Sequence, residues 1–456
     1  MLPILPRRTT LCGWSLLILL CCTAVADDAP RYLLDEPLDD NRVFGVGFRV
    51  DVNGTLSTLG ADNKPQPLEL AVSAALSYRE RRVVGPGRDA EALRTVRDYE
   101  VSTSEITVGG QKSPSLHLPE NLKLTVAQGR AYGVEIYSLA GPMTAAEMDL
   151  VRVPCDSLLL PRLLPSREVS VGESWTPDAW VYQALTSLDA ASSSKCTCKL
   201  DSVDGDVAQI SVEGEIEGAI DGSATKVTLK GTLTYDLTQK AIVAWDLEQS
   251  EQRSIGVVSP GLDVKARVRA KRGVAQVVGR LGDSKLVDQA SGELPQSSSL
   301  VRFDSPWNLT LLHARDWHLF HENELVAIFR LLDQGAFVAQ CNIAPIPPAP
   351  PGEQTSEKAF EADIRSSLGD RLKSLDPPTR LESQGGRIVS RAIARGADEE
   401  RPITWTYYFC SDPSGRQVSL LFSCDTGLLE KLGTRDRELV DSLRFTPAPT
   451  PTVKPD

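Results

Sequence analysis

The feature that most constrains this chain is a long region, from about residue 40 to residue 274, in which apolar and polar residues alternate. Side chains on a β-strand point alternately to opposite faces, so each such segment has one apolar and one wet face. An antiparallel sheet commonly leaves one face in water, whereas parallel sheets are covered on both faces. The pattern therefore predicts a large antiparallel sheet. The clearest segments begin at Phe44, Leu68, Ile210, Val227, Ala241 and Leu262.

Glycines and two short helical signals interrupt this region. Gly214, Gly218 and Gly231 lie inside alternating segments, where glycine commonly marks a bulge or bend, so we expect the sheet to be curved. Thr144-Ala145-Ala146-Glu147 is a capping box that opens one helix. A cap residue followed by proline at Thr176-Pro177 predicts a second helix over 179–188.

The first residues have the three zones of a secretory signal peptide. Arg7 and Arg8 precede an uncharged stretch with a leucine-rich centre, and Ala24-Val25-Ala26 offers the small residues that signal peptidase requires. Asp27 follows directly. We expect residues 1–26 to be removed after Ala26 and the protein to be secreted or periplasmic.

Two membrane-anchored alternatives concern the same segment. A transmembrane span needs about 20 apolar residues, and this apolar run is shorter. Cys21 and Cys22 leave a lipoprotein open, although Leu20 before Cys21 is larger than the residues that usually precede a lipidated cysteine. Since no other long apolar run occurs, we expect no transmembrane span in the mature chain.

Charge and motifs exclude several classes of function. The net charge of −12 argues against a nucleic-acid partner, because such proteins usually carry a basic footprint. The sequence contains no Gly-x-Ser-x-Gly elbow, no His-Glu-x-x-His and no phosphate-binding loop ending in Gly-Lys-Ser/Thr. We therefore expect no cofactor and assign no catalytic residue.

Cysteines are evenly divided between the two halves of the mature chain. The disulfide candidates are Cys155, Cys196, Cys198, Cys341, Cys410 and Cys424. Three cysteines in each half allow at most one intradomain disulfide there, and export makes oxidation reasonable. Cys196 and Cys198 are two apart on a strand and point the same way, so a bridge from one of them to Cys155 is easier than a bridge between them.

The later cysteines permit a register prediction. A turn centred on Pro413-Ser414 would place Cys410 opposite Gln417 and Cys424 opposite Ile403. Cys410 and Cys424 would then not face each other. We therefore expect a bridge in this half to involve Cys341 on a neighbouring strand.

Composition divides the chain into a β-rich part at 40–281, a linker at 282–306 rich in Gly, Ser, Gln and Pro, a second domain at 307–445 and a disordered tail at 446–456. In the second domain Phe360, Ile364, Leu368 and Leu372 recur every four residues, which predicts an amphipathic helix between strands. The expected fold is thus α+β: a large curved antiparallel β-sheet domain followed by a smaller α/β plait-like sandwich.

Two family resemblances extend this description. The C-terminal part resembles the PsbP-like α/β plait in its element order, in the aromatic strand Trp405-Thr406-Tyr407-Tyr408-Phe409 and in the closing Ser442-Leu443-Arg444-Phe445. That resemblance implies a non-enzymatic domain that binds or scaffolds partners. The middle part resembles uncharacterised secreted bacterial β-proteins in Val169-Ser170-Val171-Gly172-Glu173-Ser174-Trp175 and Gly231-Thr232-Leu233-Thr234-Tyr235-Asp236, which implies an envelope protein without known activity.

A metal site is the sharpest chemical alternative. His313, His318 and His321 lie within nine residues, and imidazoles are good ligands for transition metals. On a regular strand His318 and His321 would lie on opposite faces, because three is an odd offset, so we do not assign a metal site.

The sequence as a whole favours an exported, non-enzymatic binding or scaffolding protein of the cell envelope. Its partner would be an unknown protein or a hydrophobic ligand. The alternatives are a metal-dependent hydrolase that uses the histidine cluster, and an assembly factor for an envelope complex.

Overall fold

The computed structural model describes residues 30–447, apart from residues 61, 86, 87, 278, 294 and 384. The predicted signal peptide and nearly all of the predicted tail lie outside these residues. The described chain is mostly antiparallel β-structure in open sheets, as the alternation predicted.

The strands have the following bounds: β1 (Arg31–Leu34), β2 (Val43–Leu59), β3 (Pro65–Val84), β4 (Leu93–Val108), β5 (Gln111–Lys112), β6 (Leu116–His117), β7 (Leu124–Arg130), β8 (Gly133–Ser138), β9 (Met143–Thr144), β10 (Arg167–Ser170), β11 (Ser174–Trp175), β12 (Ala190–Asp204), β13 (Val207–Ile220), β14 (Ser223–Asp236), β15 (Ala241–Arg253), β16 (Gly261–Ala275), β17 (Val301–Ser305), β18 (Leu309–His313), β19 (Trp317–Glu322), β20 (Ala327–Asp333), β21 (Ala336–Ile346), β22 (Leu372–Leu375), β23 (Thr379–Leu381), β24 (Ile388–Asp398), β25 (Arg401–Ser411), β26 (Gln417–Asp425) and β27 (Arg444–Phe445). The α-helices are α1 (Ala145–Val151), α2 (Ala179–Thr186), α3 (Ser284–Ser291), α4 (Glu357–Leu368), α5 (Leu429–Leu432) and α6 (Arg435–Ser442).

A large antiparallel sheet runs in the order β11-β12-β13-β14-β15-β16-β2-β3-β4-β7-β8, with β5 and β6 also paired to β4. Strands β2 and β3 form a long hairpin, and β16 returns from far along the chain to pair with β2 over its whole length. The apolar side of this sheet packs against α1, α2 and the segment 155–164, which together form the main hydrophobic core.

The two predicted helices are confirmed, although α2 has its N-cap at Asp178 rather than Thr176 and ends at Thr186, and the predicted glycine bends are confirmed only in part. Thr144 and Glu147 form both bonds of the capping box at the start of α1. Gly218 pairs with Ala191 directly at a register shift on β12, as the glycine predicted, whereas Gly214 lies in regular pairing on both sides; a second shift on β12 lies at Leu200/Ser202. Glycine is needed at Gly214 because a Cβ there would lie 2.7 Å from the Tyr182 ring on α2.

The segment expected to be a linker contains regular structure. Helix α3 buries Ala290 in a small apolar cluster with Leu281 and Val83. Strand β17 then pairs in parallel with β9 and antiparallel with β18, which joins the later part of the chain to the earlier part. The domain boundaries themselves stay predictions.

The second large sheet runs β19-β20-β21-β26-β25-β24-β22, with β23 paired to β24. Helix α4 covers one face, where Phe360, Ile364 and Leu368 pack on the aromatic residues of β25. Helices α5 and α6 contribute Leu432, Leu439 and Val440 to the core on the other face. The predicted amphipathic helix is confirmed over these positions, although Leu372 begins strand β22.

Tips of the first sheet touch the second sheet. His318 Nδ1 on β19 lies 3.8 Å from a carboxylate oxygen of Asp221, in the β13–β14 turn. In the same turn, a Cβ on Gly222 would lie 2.0 Å from the carbonyl oxygen of Gly335 in the β20–β21 turn. The two turns are therefore packed backbone against backbone.

Candidate functional site: the inner face of the large sheet

The inner face is defined here as the side of the large sheet that carries the buried residues Phe48, Val50, Leu76, Trp245 and Val268. It has two ends that differ in chemistry. Near the beginning of β2 it is closed by buried ion pairs, and near the β2–β3 turn it is apolar and only half covered. We call these the closed end and the distal end.

At the closed end Glu36 lies at the centre of a buried charge cluster. Arg272 Nη2 donates to both Glu36 carboxylate oxygens at 2.6 and 2.7 Å, and Arg82 donates to one of them. The backbone N–H of Ile242 donates to Glu36 Oε2 at 2.8 Å. Both guanidinium groups lie over the ring of Phe44. Burial and the nearby Arg272 lower the pKa of Arg82 to about 9.

A second buried cluster adjoins the first. Arg97 is fully buried and binds Asp156 through two donors at 2.8 and 2.5 Å, while its Nε lies 3.3 Å from Glu80. Ser157 Oγ donates to Glu80 at 2.9 Å and also contacts the Tyr78 hydroxyl. Burial raises the pKa of Tyr78 well above its ordinary value.

These clusters fill the closed end and have the character of structural supports. Three arginines face three carboxylates, so the charges compensate one another inside the protein, as buried charges must. A cavity of about 20 Å³ beside Glu80, Arg82, Ser157 and Arg272 has room for about one water molecule. This cavity is therefore too small for an organic ligand.

The distal end carries an apolar surface that lies outside the hydrophobic cores of the described residues. Leu68 is 38% exposed, and the others are half-buried. We call this surface the distal platform; it consists of Leu56, Leu68, Leu70, Val72, Ile106, Val108 and Leu262.

Cross-strand register places the platform residues side by side. Leu262 pairs with Leu56, and Leu56 pairs with Leu68. Leu70 pairs with Val108, and in the next row Val72 pairs with Ile106. Residues opposite one another on neighbouring strands share a face of the sheet. With strands about 4.8 Å apart, these four strands span about 14 Å.

Strand β15 borders the platform with polar side chains at inner-face positions. Gln249, Glu251 and Arg253 continue the alternation set by Trp245 and Leu247, and we call the three the polar column. They pair with Ala266, Val264 and Leu262 of β16. Each row of the platform therefore ends at one polar residue.

The polar column is only partly satisfied by the described residues. Arg253 donates to Glu251 Oε1 from Nε at 2.9 Å and from Nη2 at 2.5 Å. Gln249 is 7% exposed, and its buried Oε1 has no hydrogen-bond partner among the described residues. An unmet buried acceptor costs about 1–3 kcal/mol, so any donor that reaches this atom, from water or from a ligand, stabilises it.

The three histidines predicted as metal candidates are spread over different environments. His313 is buried against Phe329, and burial lowers its pKa to about 4. A bulge at Phe320 pairs His318 with Arg330 and His321 with Ile328, two residues apart on β20. The prediction that His318 and His321 lie on opposite faces of the strand is therefore wrong, because the bulge inserts one extra residue between them. Even so, no group of three or more His, Cys, Asp or Glu able to hold a metal occurs within the described parts of the chain.

Each of the six candidate disulfide cysteines is buried and free in the structure. Cys196 and Cys198 are both on the inner face, as their spacing predicted. In the later half Cys410 pairs with Val418 and Cys424 with Thr404, one residue away from the predicted register. The reason is the Asp412 carboxylate, which accepts from the backbone N–H groups of residues 414 and 416 and so extends the loop by one residue.

Sequence reasoning missed the polar column and the buried clusters. A signal for the column was present: the alternation Trp245, Leu247 extends to positions 249, 251 and 253, so these polar residues had to face inward. The partners of Glu36 had no such signal, since Arg272 lies 236 positions away in the chain.

Comparisons with known proteins give only distant structural likenesses. No protein-family model matches the chain, and no curated protein matches its sequence. The similar structures include one from Bacteroides thetaiotaomicron, 14% identical, which covers 32% of this chain and 48% of its own with a TM-score of 0.25. Cyanobacterial PsbP (CyanoP) from Synechocystis is 12% identical and covers 34% of this chain and 98% of its own, with a TM-score of 0.26.

A third structure describes lipid–protein interactions in lipovitellin; it is 9% identical and covers 54% of this chain and 26% of its own, with a TM-score of 0.30. Likenesses at these TM-scores do not establish a shared fold. Among the described residues, no helix is both long and apolar enough to cross a membrane.

Proposed function

We propose that this chain is an exported, non-enzymatic binding protein that holds an apolar ligand on the distal platform. The observation that carries the proposal is the platform itself: neighbouring strands present large aliphatic side chains that no hydrophobic core of the described residues includes. Contiguous apolar surface of this kind commonly marks a binding site in a soluble protein.

Burial of apolar area supplies the binding energy. Covering apolar surface contributes about 25 cal/mol per Å², so a ligand that covers a few hundred Å² gains several kcal/mol before its ordering costs. The platform also sits on long paired strands, so little ordering of the protein is needed on binding.

A binding role rather than a catalytic one agrees with the pairing and burial of the carboxylates at the closed end. Glu36 and Asp156 each have an arginine partner, and their side chains are 0% and 3% exposed, so a substrate has no access to them. We further propose that the α4, α5 and α6 layers on the second sheet form a plait-like sandwich that supports the binding domain.

Export is part of the proposal and rests on the sequence of residues 1–26. Expression of the whole chain in a secreting host, followed by mass spectrometry of the extracytoplasmic product, is expected to find Asp27 as the first residue. A product that retains residue 1, or that starts at a lipid-modified Cys21 or Cys22, would contradict cleavage after Ala26.

The binding proposal is tested with N-phenyl-1-naphthylamine, an uncharged probe whose fluorescence rises in apolar surroundings. We expect saturable binding to the purified protein and a loss of at least tenfold in affinity for Leu70→Glu, because a carboxylate would then lie in the platform. Ala71→Glu is the matched control: Ala71 is the next residue on β3, exposed on the opposite face. Equal affinities for the two variants, or no binding by the unaltered protein, would overturn the proposal.

A further inference from the structure

The boundary between platform and polar column has the layout of an amphiphile site. Arg253, Leu262, Leu56 and Leu68 form one row across four strands. A ligand with an apolar chain along such rows would bring its other end to β15. The polar column, rather than the distal platform, would then determine which head groups the protein binds.

The charges at the column disfavour an anionic head. Glu251 and Arg253 form an ion pair in which their charges neutralise each other. Their side chains are only 12% and 14% exposed. Asp189 also lies near, since Arg253 opposes the rise that burial causes in the pKa of the Asp189 carboxyl. A second anion brought beside Glu251 would be repelled in surroundings where water screens little.

The unused hydrogen-bonding groups suit a neutral head with a hydroxyl group. Gln249 Oε1 is a buried acceptor without a donor among the described residues. Arg253 donates to Glu251 through Nε and Nη2, and its Nη1 donates to no acceptor in the described part of the chain. A hydroxyl can donate to Gln249 Oε1, and a separate hydroxyl or ester oxygen of the same head can accept from Arg253 Nη1.

We propose that the ligand is an uncharged single-chain amphiphile with a hydroxyl-bearing head, of the monoacylglycerol or long-chain alcohol class. Its head binds at Gln249 and Arg253, and its chain lies on the distal platform. This inference rests on the proposed function, since it assumes that the platform is the binding surface.

The head group is tested with probes of equal chain length, used below their aggregation concentrations to displace N-phenyl-1-naphthylamine. The probes are 1-monooleoylglycerol, ionised oleate at pH 8, oleylamine and 1-octadecene. We expect 1-monooleoylglycerol to bind about tenfold more tightly than oleate, a difference that corresponds to one carboxylate left without a partner.

A matched pair of variants assigns the head site. Gln249→Leu is expected to lower the affinity for 1-monooleoylglycerol about fivefold and to leave the affinity for 1-octadecene unchanged. Its thermal midpoint is expected to stay equal or rise, because leucine removes an unmet acceptor between Leu229 and Ala266. Gln252→Leu is the control, since Gln252 is exposed on the outer face of the same strand.

The outcomes separate this inference from the proposed function. Tightest binding by oleate or by oleylamine would overturn the neutral head, while probe binding at the platform would still support the proposed function. If Gln249→Leu and Gln252→Leu change the affinity for 1-monooleoylglycerol equally, the polar column is not part of the binding site. If N-phenyl-1-naphthylamine does not bind at all, both the function and this inference fail.

Discussion

Replacement of Arg272 by methionine tests whether the closed end supports the fold. Arg272 has a side chain that is 1% exposed; it donates to both oxygens of Glu36 and, through Nε at 3.0 Å, to the carbonyl of Ile242. Methionine keeps most of the volume but removes every donor. Glu36, whose side chain is 0% exposed, would then keep Arg82 as its cationic partner.

The magnitude follows from the burial of both partners. Removal of one member of a buried ion pair typically costs about 3–5 kcal/mol, because the remaining charge stays out of water. The matched control is Arg267→Met on the same strand. Arg267 binds Asp246 through two donors at 2.9 and 2.7 Å, but these side chains are 57% and 43% exposed, so we expect a loss of about 0–1 kcal/mol.

The assay is thermal unfolding followed by tryptophan fluorescence, with Trp245 inside the main core. For a domain of about 240 residues, 3 kcal/mol corresponds to about 6–12 °C in the midpoint. Arg272→Lys keeps the charge and is expected to recover part of the loss. A midpoint for Arg272→Met within about 2 °C of that for Arg267→Met would refute the structural role.

Two further predictions concern His313 and the contact between the sheets. The pKa of His313, lowered by burial to about 4, lies below the unfolded value of about 6.5, so its stabilising contribution is complete above pH 6.5 and decreases as the pH falls towards 4, by on the order of 3 kcal/mol. His313→Phe should therefore lose less stability than the unaltered protein between pH 7.5 and 4.5 in urea unfolding; equal losses would contradict this source of acid sensitivity. Gly222→Ala should increase hydrogen exchange at both turns that meet there, because its Cβ would collide with Gly335. Gly205→Ala is the control with a similar positive φ and open space around the Cβ, and it should show only the backbone cost of about 1 kcal/mol; an equal effect of both variants would exclude the collision as the cause.

The sequence determined the local structure well wherever one period dominated. Alternation between residues 40 and 274 predicted antiparallel strands with one apolar face, and the four-residue spacing of Phe360, Ile364 and Leu368 predicted helix α4. Both patterns reflect which face of a strand or helix is buried, and the order of apolar and polar residues within that element is enough to indicate it. The capping box at Thr144 is equally local.

Register and partners needed the tertiary structure. The bulge at Phe320 reverses the expected relation of His318 and His321, and the Asp412 loop shifts β25 against β26 by one residue. A one-residue shift changes the facing of every later side chain, so short-range patterns cannot resolve it.

The sequence by itself determined that this chain has a large sheet of alternating strands; it also contained the signal for the polar column of β15, which was not predicted from it. Only the tertiary structure decided which part of that inner face is closed and which is open. Glu36 binds Arg272, which lies 236 positions away in the chain. The distal platform is open because none of the hydrophobic cores of the described residues includes its side chains. The physical reason is that burial of a strand face depends on distant segments of the chain, whereas alternation depends only on the strand itself.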